Sequence, residues 1–139
     1  MNPSYHHSTP IQIRFADMDA MGHVNNANFL TYIEIARIRY FNEILSKGID
    51  FSKQGFILAR ATVDFILPIE IQDAIQVRTR CSRIGNKSFD LEYEIVNVNH
   101  EPPVLVAKAQ TVLVGYDYHE KKSIAIPDAW KKQIEAYEI

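Results

Sequence analysis

The chain has 139 residues, 47% apolar and 23% charged, which suits one domain over residues 1–139 with a packed core and excludes global disorder. Fifteen Lys and Arg against seventeen Asp and Glu give a net charge of −2, so the basic footprint of a nucleic-acid binder is missing. Cys81 is the single cysteine: it cannot close an internal bridge, and it fits a reducing, cytoplasmic compartment.

Met1 to Pro10 is polar, which reads against a secretory signal, and places His6 and His7 in a frayed end. No apolar run approaches the roughly 20 residues needed to span a bilayer. Ile11, Ile13 and Phe15 alternate with Gln12 and Arg14, the period-two pattern of a strand with one buried face. A dense turn-like segment follows, Ala16 to Asn26, and then a helix over Asn28 to Lys47, with Asn residues to cap its start and Gly48 past its end. Phe29, Ile33, Ala36, Tyr40 and Ile44 recur at helical spacing, while Leu30, Ile35, Ile38, Phe41 and Leu45 widen the apolar surface. So broad a surface marks a helix buried in the middle of something.

After Gly55 the period becomes that of strands: Phe56 to Phe65, Ala74 to Ile84, the alternating run Phe89, Leu91, Tyr93, Ile95, and Val104 to Tyr116. Gly85-Asn86 is a hairpin turn, and Pro127 starts a short helix through Trp130. Short connections force antiparallel pairing. A long, widely apolar helix is satisfied by a curved antiparallel sheet of about five strands wrapped around it: an α+β hotdog fold. The unpaired strand edges favour association between copies.

Chemistry concentrates between the first strand and the helix. The first N–H groups of a helix lack internal partners and sit at the positive end of its dipole, where a developing oxyanion is stabilised. A carboxylate one loop away, Asp19, can act on the same carbonyl carbon as nucleophile or as base for water. Those two elements suffice for acyl transfer from a reactive thioester.

The run Arg14-Phe15-Ala16-Asp17-Met18-Asp19-Ala20-Met21-Gly22-His23-Val24-Asn25-Asn26-Ala27-Asn28-Phe29-Leu30 resembles the signature of hotdog-fold acyl-CoA thioesterases, in the 4-hydroxybenzoyl-CoA thioesterase-like branch. The element order and Ile84-Gly85-Asn86-Lys87-Ser88-Phe89 agree with it. The resemblance implies that Asp19 is the catalytic carboxylate, that the backbone N–H of Asn26 polarises the thioester carbonyl, and that His23 is a further candidate. It implies coenzyme A contacts from Arg83, Lys87 and Ser88, an acyl-CoA substrate, no separate cofactor, and a homodimer or homotetramer without membrane insertion. Plant acyl-carrier-protein thioesterases share a related run with an Asn where Met21 stands here, which breaks their three-residue network and demotes that alternative.

Each residue also has a plainer reading. Asp17 serves as a ligand for loop N–H groups, and His23 as a loop histidine against the backbone. No Cys or His pair has zinc spacing, and no motif places a histidine near Ser88, so neither a metal nor a serine triad is expected. Glu34 and Arg37 are spaced as a helix pair, the alternative being that they line a pocket or subunit contact. Arg78, Arg80 and Arg83 read as a solvated strand face, and Cys81 as a small buried hydrophobe. The remaining alternatives are a hotdog dehydratase or hydratase, whose catalytic histidine the motif does not supply, and a non-catalytic acyl-CoA-binding hotdog module.

Overall fold

A computed structural model describes residues 4–45 and 52–139. Strands β1 (His7–Ile11), β2 (Gln54–Phe65), β3 (Ile75–Ile84), β4 (Ser88–Asn97), β5 (Val104–Asp117) and β6 (Lys122–Ser123) form one antiparallel sheet ordered β1-β3-β4-β5-β2, with β6 against β5. The long helix α1 (Asn26–Ile44) lies on the sheet's inner face, and α2 (Asp128–Glu138) closes the chain. Irregularities at Leu58/Arg60, Cys81/Arg83 and Ile95/Val96 interrupt three ladders, and such bulges increase twist and curvature. The result is the expected hotdog architecture.

Phe29, Tyr32, Ile33, Ala36, Tyr40 and Phe41 form the buried face of α1 and meet Ile75, Val77, Phe89, Leu91, Ile95 and Leu113 from the sheet. Each such large side chain, fully buried, contributes about 1.5–3 kcal/mol. Phe56 ties α1 to both the sheet and α2, with ring centroids 4.6 Å from Phe41, 5.1 Å from Phe89 and 5.1 Å from Trp130.

Several expectations need correction. The first strand runs from His7 to Ile11, four residues upstream of the alternation at Ile11, Ile13 and Phe15. The inward phase survives, since His7, Thr9 and Ile11 are buried, but the Asp17 carboxylate accepts the Arg14 N–H and winds Phe15–Asp17 into a 3-10 turn. Phe15 is thereby turned out, 88% exposed. His7 is not frayed: its Nε2 lies 2.7 Å from Glu43 Oε2 and its ring packs edge-on against Tyr40.

The helix starts two residues early, because Asn25 caps it, while the expected end at Lys47 and Gly48 lies outside the described residues. Its full apolar surface is not buried either. Leu30, Ile35 and Ile38 are 45%, 45% and 53% exposed, because the sheet covers only one side of the helix. The C-terminal helix continues past Trp130 to Glu138, since Ile134 keeps the same buried face.

The two sheet edges differ in kind. Edge strand β1 is five residues long and carries Pro10, which cannot donate to another strand. Edge strand β2 is twelve residues long, has no proline, and exposes Ile57, Leu58 and Phe65. On the sheet surface, Arg78 faces Glu94 and Arg80 faces Glu92 in register, so these arginines are cross-strand ion pairs, as the solvated-face reading anticipates.

Candidate active site

Asp17 is the anchor of the loop between β1 and α1. Its side chain is buried; Oδ2 accepts from the Arg14 N–H at 3.0 Å and the Tyr32 hydroxyl at 2.7 Å, and Oδ1 from Arg14 Nη2 at 2.7 Å. Its carbonyl accepts from the Asn25 N–H at 2.8 Å and Asn28 Nδ2 at 3.1 Å. One residue therefore fastens the loop to the first turns of α1. Burial pushes the Asp17 carboxyl upward, but the hydrogen bonds from Arg14 and Tyr32, with the guanidinium charge, outweigh it and hold the group below the usual carboxylate range. Burial and that neighbouring carboxylate raise the Tyr32 hydroxyl.

Asp19, two residues on, is exposed. Its N–H donates to the His23 carbonyl at 2.7 Å, and its carbonyl accepts from the Gly22 N–H at 3.2 Å. Gly22 makes this turn at φ +84°, a left-handed conformation that a side chain would strain, which is the physical reason the motif needs glycine there. Asp19 Oδ1 accepts from the N–H groups of Met21 at 2.9 Å and His23 at 3.2 Å. Oδ2 is left without a protein partner among the described residues.

The start of α1 is similarly half-satisfied. Asn25 caps it, its Oδ1 accepting from the Ala27 N–H at 2.9 Å and its carbonyl from the Asn28 N–H at 2.8 Å. The N–H of Asn26 has no protein acceptor among the described residues, and it lies at the positive end of the helix dipole. Asp19, His23 and Asn26 line one cleft of about 290 Å³ together with Val24, Phe29 and the segment Phe65 to Pro68. The Val24 N–H donates to the Ile69 carbonyl at 2.8 Å, docking the loop on that segment. An open carboxylate oxygen and an unspent N–H thus share a cleft with an apolar wall, an arrangement able to attack and polarise one carbonyl.

The thioesterase-like superfamily matches residues 13–134, nearly the whole chain and all of this site. The chain belongs to that superfamily. Among proteins similar to this thioesterase is the 1,4-dihydroxy-2-naphthoyl-CoA hydrolase of Thermosynechococcus vestitus, 30% identical over 95% of this chain and 92% of its own. The acyl-CoA thioester hydrolase YbgC of Escherichia coli is 22% identical over 85% of this chain and 87% of its own. A thioesterase from Thermus thermophilus, solved with coenzyme A and Zn, is 33% identical, with a TM-score of 0.83 over 96% of this chain and 95% of its own.

The structure distributes the other candidate residues unevenly. The His23 ring lines the cleft, half-buried, with no hydrogen bond among the described residues, while its backbone is tied to Asp19 in both directions. Arg83, Lys87 and Ser88 sit at the β3–β4 hairpin and are not among the groups lining the Asp19 cleft of the same protomer. Arg83 donates to Asp90 at 3.1 and 3.2 Å and to Ser88 Oγ at 3.2 Å; Lys87 is exposed. Cys81 is half-buried against the core rather than enclosed in it, and desolvation pushes its thiol up to about 12.

Sequence reasoning missed two parts of the site. In the sequence Tyr32 is open between lining a pocket and filling the core, and only the fold reveals that its hydroxyl reaches Asp17. The wall from Phe65 to Pro68 follows a strand with no motif of its own.

Proposed function

We propose that this thioesterase hydrolyses acyl-CoA to a carboxylic acid and free coenzyme A, with Asp19 as the working carboxylate and the Asn26 N–H as oxyanion donor. The observation that supports this is the shared cleft: Asp19, with one carboxylate oxygen unspent, and Asn26, whose N–H lacks an acceptor, line the same space. Attack at the thioester carbon moves its C=O electrons onto oxygen, and the helix-start N–H donates a hydrogen bond to the resulting oxyanion. Collapse then expels the coenzyme A thiolate, and the proton taken from water ends on sulfur. Asp19 either takes that proton directly or attacks first and is released by water; both routes need its carboxylate. Positioning supplies much of the rate, because a carboxylate is a weak base at neutral pH.

The substrate's coenzyme A is the only cofactor moiety this chemistry requires, and neither route uses a metal. Lys87, with Arg83 and Ser88, is the first place to seek contacts to its phosphates. We place the enzyme in a reducing, cytoplasmic setting. It works as a homodimer or larger homo-oligomer whose β2 edges pair, since that long edge carries Ile57 and Leu58 outward beside the open face of α1.

Thiol release measured across acetyl, short, medium, long and aromatic acyl-CoAs, each against the matching acyl-carrier-protein thioester, tests the reading. The expected result is turnover of CoA esters that falls at least about 10²-fold in Asp19→Asn, the loss typical of a missing general base or nucleophile. Unchanged turnover in that variant removes Asp19 from the mechanism. Acyl-CoA binding without thiol release would make the protein a binding module instead.

A further inference from the structure

A second cleft, of about 400 Å³, lies between the open face of α1 and the sheet, walled by Ile38, Phe41, Phe56, Leu58, Leu113 and Tyr118. Two charged groups also line it, Glu34 and Arg37. Arg37 is 9% exposed and so is nearly withdrawn from water. A guanidinium removed from water needs a close anion or several hydrogen bonds. Arg37 has neither in full. Its ion-pair partner, Glu34, stands 3.6 Å away, beyond hydrogen-bond reach, with its own side chain 61% exposed. Its one hydrogen-bond partner among the described residues is the buried Tyr93 hydroxyl, which accepts from the guanidinium and is also paired with Thr111 Oγ1 at 2.7 Å. By contrast, Arg14 and Arg83, both far more exposed, hold their carboxylates at 2.7 and 3.1 Å.

The geometry points to Arg37 as a specificity-determining residue that reads a carboxylate at the far end of the acyl group, so that the favoured substrates are CoA thioesters of short dicarboxylic acids. The planar fork of a guanidinium matches two carboxylate oxygens, whereas a hydroxyl offers it a single acceptor. The aromatic and aliphatic walls suit the carbon spacer, and Glu34, being mostly in water, is displaced at little cost.

This inference rests on the thioesterase reading of the Asp19 cleft and on pairing of two copies through β2. Within one protomer the eleven residues from Asn26 to Arg37 span roughly 16 Å of helix, too far for a short acyl group. Antiparallel pairing of β2 with its own copy about the middle of the strand lays the Phe65 end of one protomer against the Phe56 and Leu58 end of the other. Phe65 belongs to the Asp19 cleft, and Phe56 and Leu58 to the Arg37 cleft. The thioester is then cut by one protomer while its partner reads the acyl end.

Glutaryl-CoA and valeryl-CoA have equal chain lengths and differ in the terminal carboxylate. The wild type is expected to favour glutaryl-CoA by about tenfold or more in kcat/KM, the size of one charge-assisted contact. Arg37→Met is expected to raise KM for glutaryl-CoA by about 10–100-fold and to change valeryl-CoA by less than about threefold. Arg37→Lys, which keeps the buried charge and loses the fork, should fall between, and Glu34→Gln should increase the preference for glutaryl-CoA. Equal losses on both esters, or a greater preference for 5-hydroxyvaleryl-CoA, overturn the inference. An independent arm follows the Arg37 Nε–H resonance while valerate or 1-pentanol is added to the intact protein. Valerate should shift it and pentanol should not, whether or not any thioester is cleaved. A shift without hydrolysis defeats the thioesterase reading alone; hydrolysis without a shift defeats this one alone.

Discussion

The two ends of α1 use similar polar residues in opposite ways. At the far end three polar contacts are spent on packing: Tyr40 donates to Glu138 Oε2 at 2.5 Å, the same oxygen accepts the Cys81 N–H at 2.6 Å, and His7 meets Glu43 at 2.7 Å. At the near end Asp19 and Asn26 stay exposed, one with a carboxylate oxygen and the other with an N–H unsatisfied. The contrast repeats inside the loop itself, where Asp17 is buried and surrounded by donors while Asp19, two residues away, is not. An unsatisfied polar group costs less where water can reach it, so the open end of the helix is the cheaper place to leave a carboxylate oxygen and an N–H unspent.

Breaking the open end should cost activity without stability, and breaking the closed end the reverse. The largest effect is expected from Asp19→Asn, at least about 10²-fold in kcat, equivalent to about 2.7 kcal/mol, with a melting temperature within about 2 °C of wild type. Asp17→Asn should destabilise the fold by about 2–3 kcal/mol in urea titrations, because a buried carboxylate loses charge-assisted partners. Its pH signature sharpens the assignment. The Asp17 carboxyl is depressed in the folded protein, so its contribution is present above the unfolded carboxylate range and is lost as pH falls through the lower folded value. Acid destabilisation should therefore be shallower in the variant.

Tyr40→Phe should cost about 1–2 kcal/mol while leaving turnover per folded molecule unchanged, and lost turnover there would erase the distinction between the two ends. Asn25→Ala, which removes the cap, should cost about 1 kcal/mol. His23→Ala is expected to have the smallest effect, below about tenfold in kcat and under about 0.5 kcal/mol in stability. A drop matching Asp19→Asn would instead make His23 a partner in the chemistry.

Strands β3 and β4 were legible because half-buried strands write their geometry as alternation, and β2 and β5 as apolar runs bounded by glycine, proline and turn residues. The first strand was misplaced because alternation carries phase but not position, and the Asp17 carboxylate, accepting the Arg14 N–H, winds the chain into a turn before Phe15 can extend it. That Asp19 and Asn26 come together at one cleft was legible through a motif whose glycine and cap residues have local conformational reasons. Tyr32 and the wall at Phe65 to Pro68 were not, since their roles come from contacts between segments distant in the chain. His7 was misread for the same reason: nothing local announces that a histidine near a terminus will meet Glu43 on a helix.

Local chemistry by itself determined the helix, its cap, the strand alternation and the carboxylate beside the helix start, because each depends on residues within one or two turns of one another. Tertiary structure alone decided which carboxylate is buried and which is open, which helix face the sheet covers, and that a guanidinium would be left in an apolar cleft. Those outcomes depend on desolvation, and how much water a group loses is set by the elements packed around it.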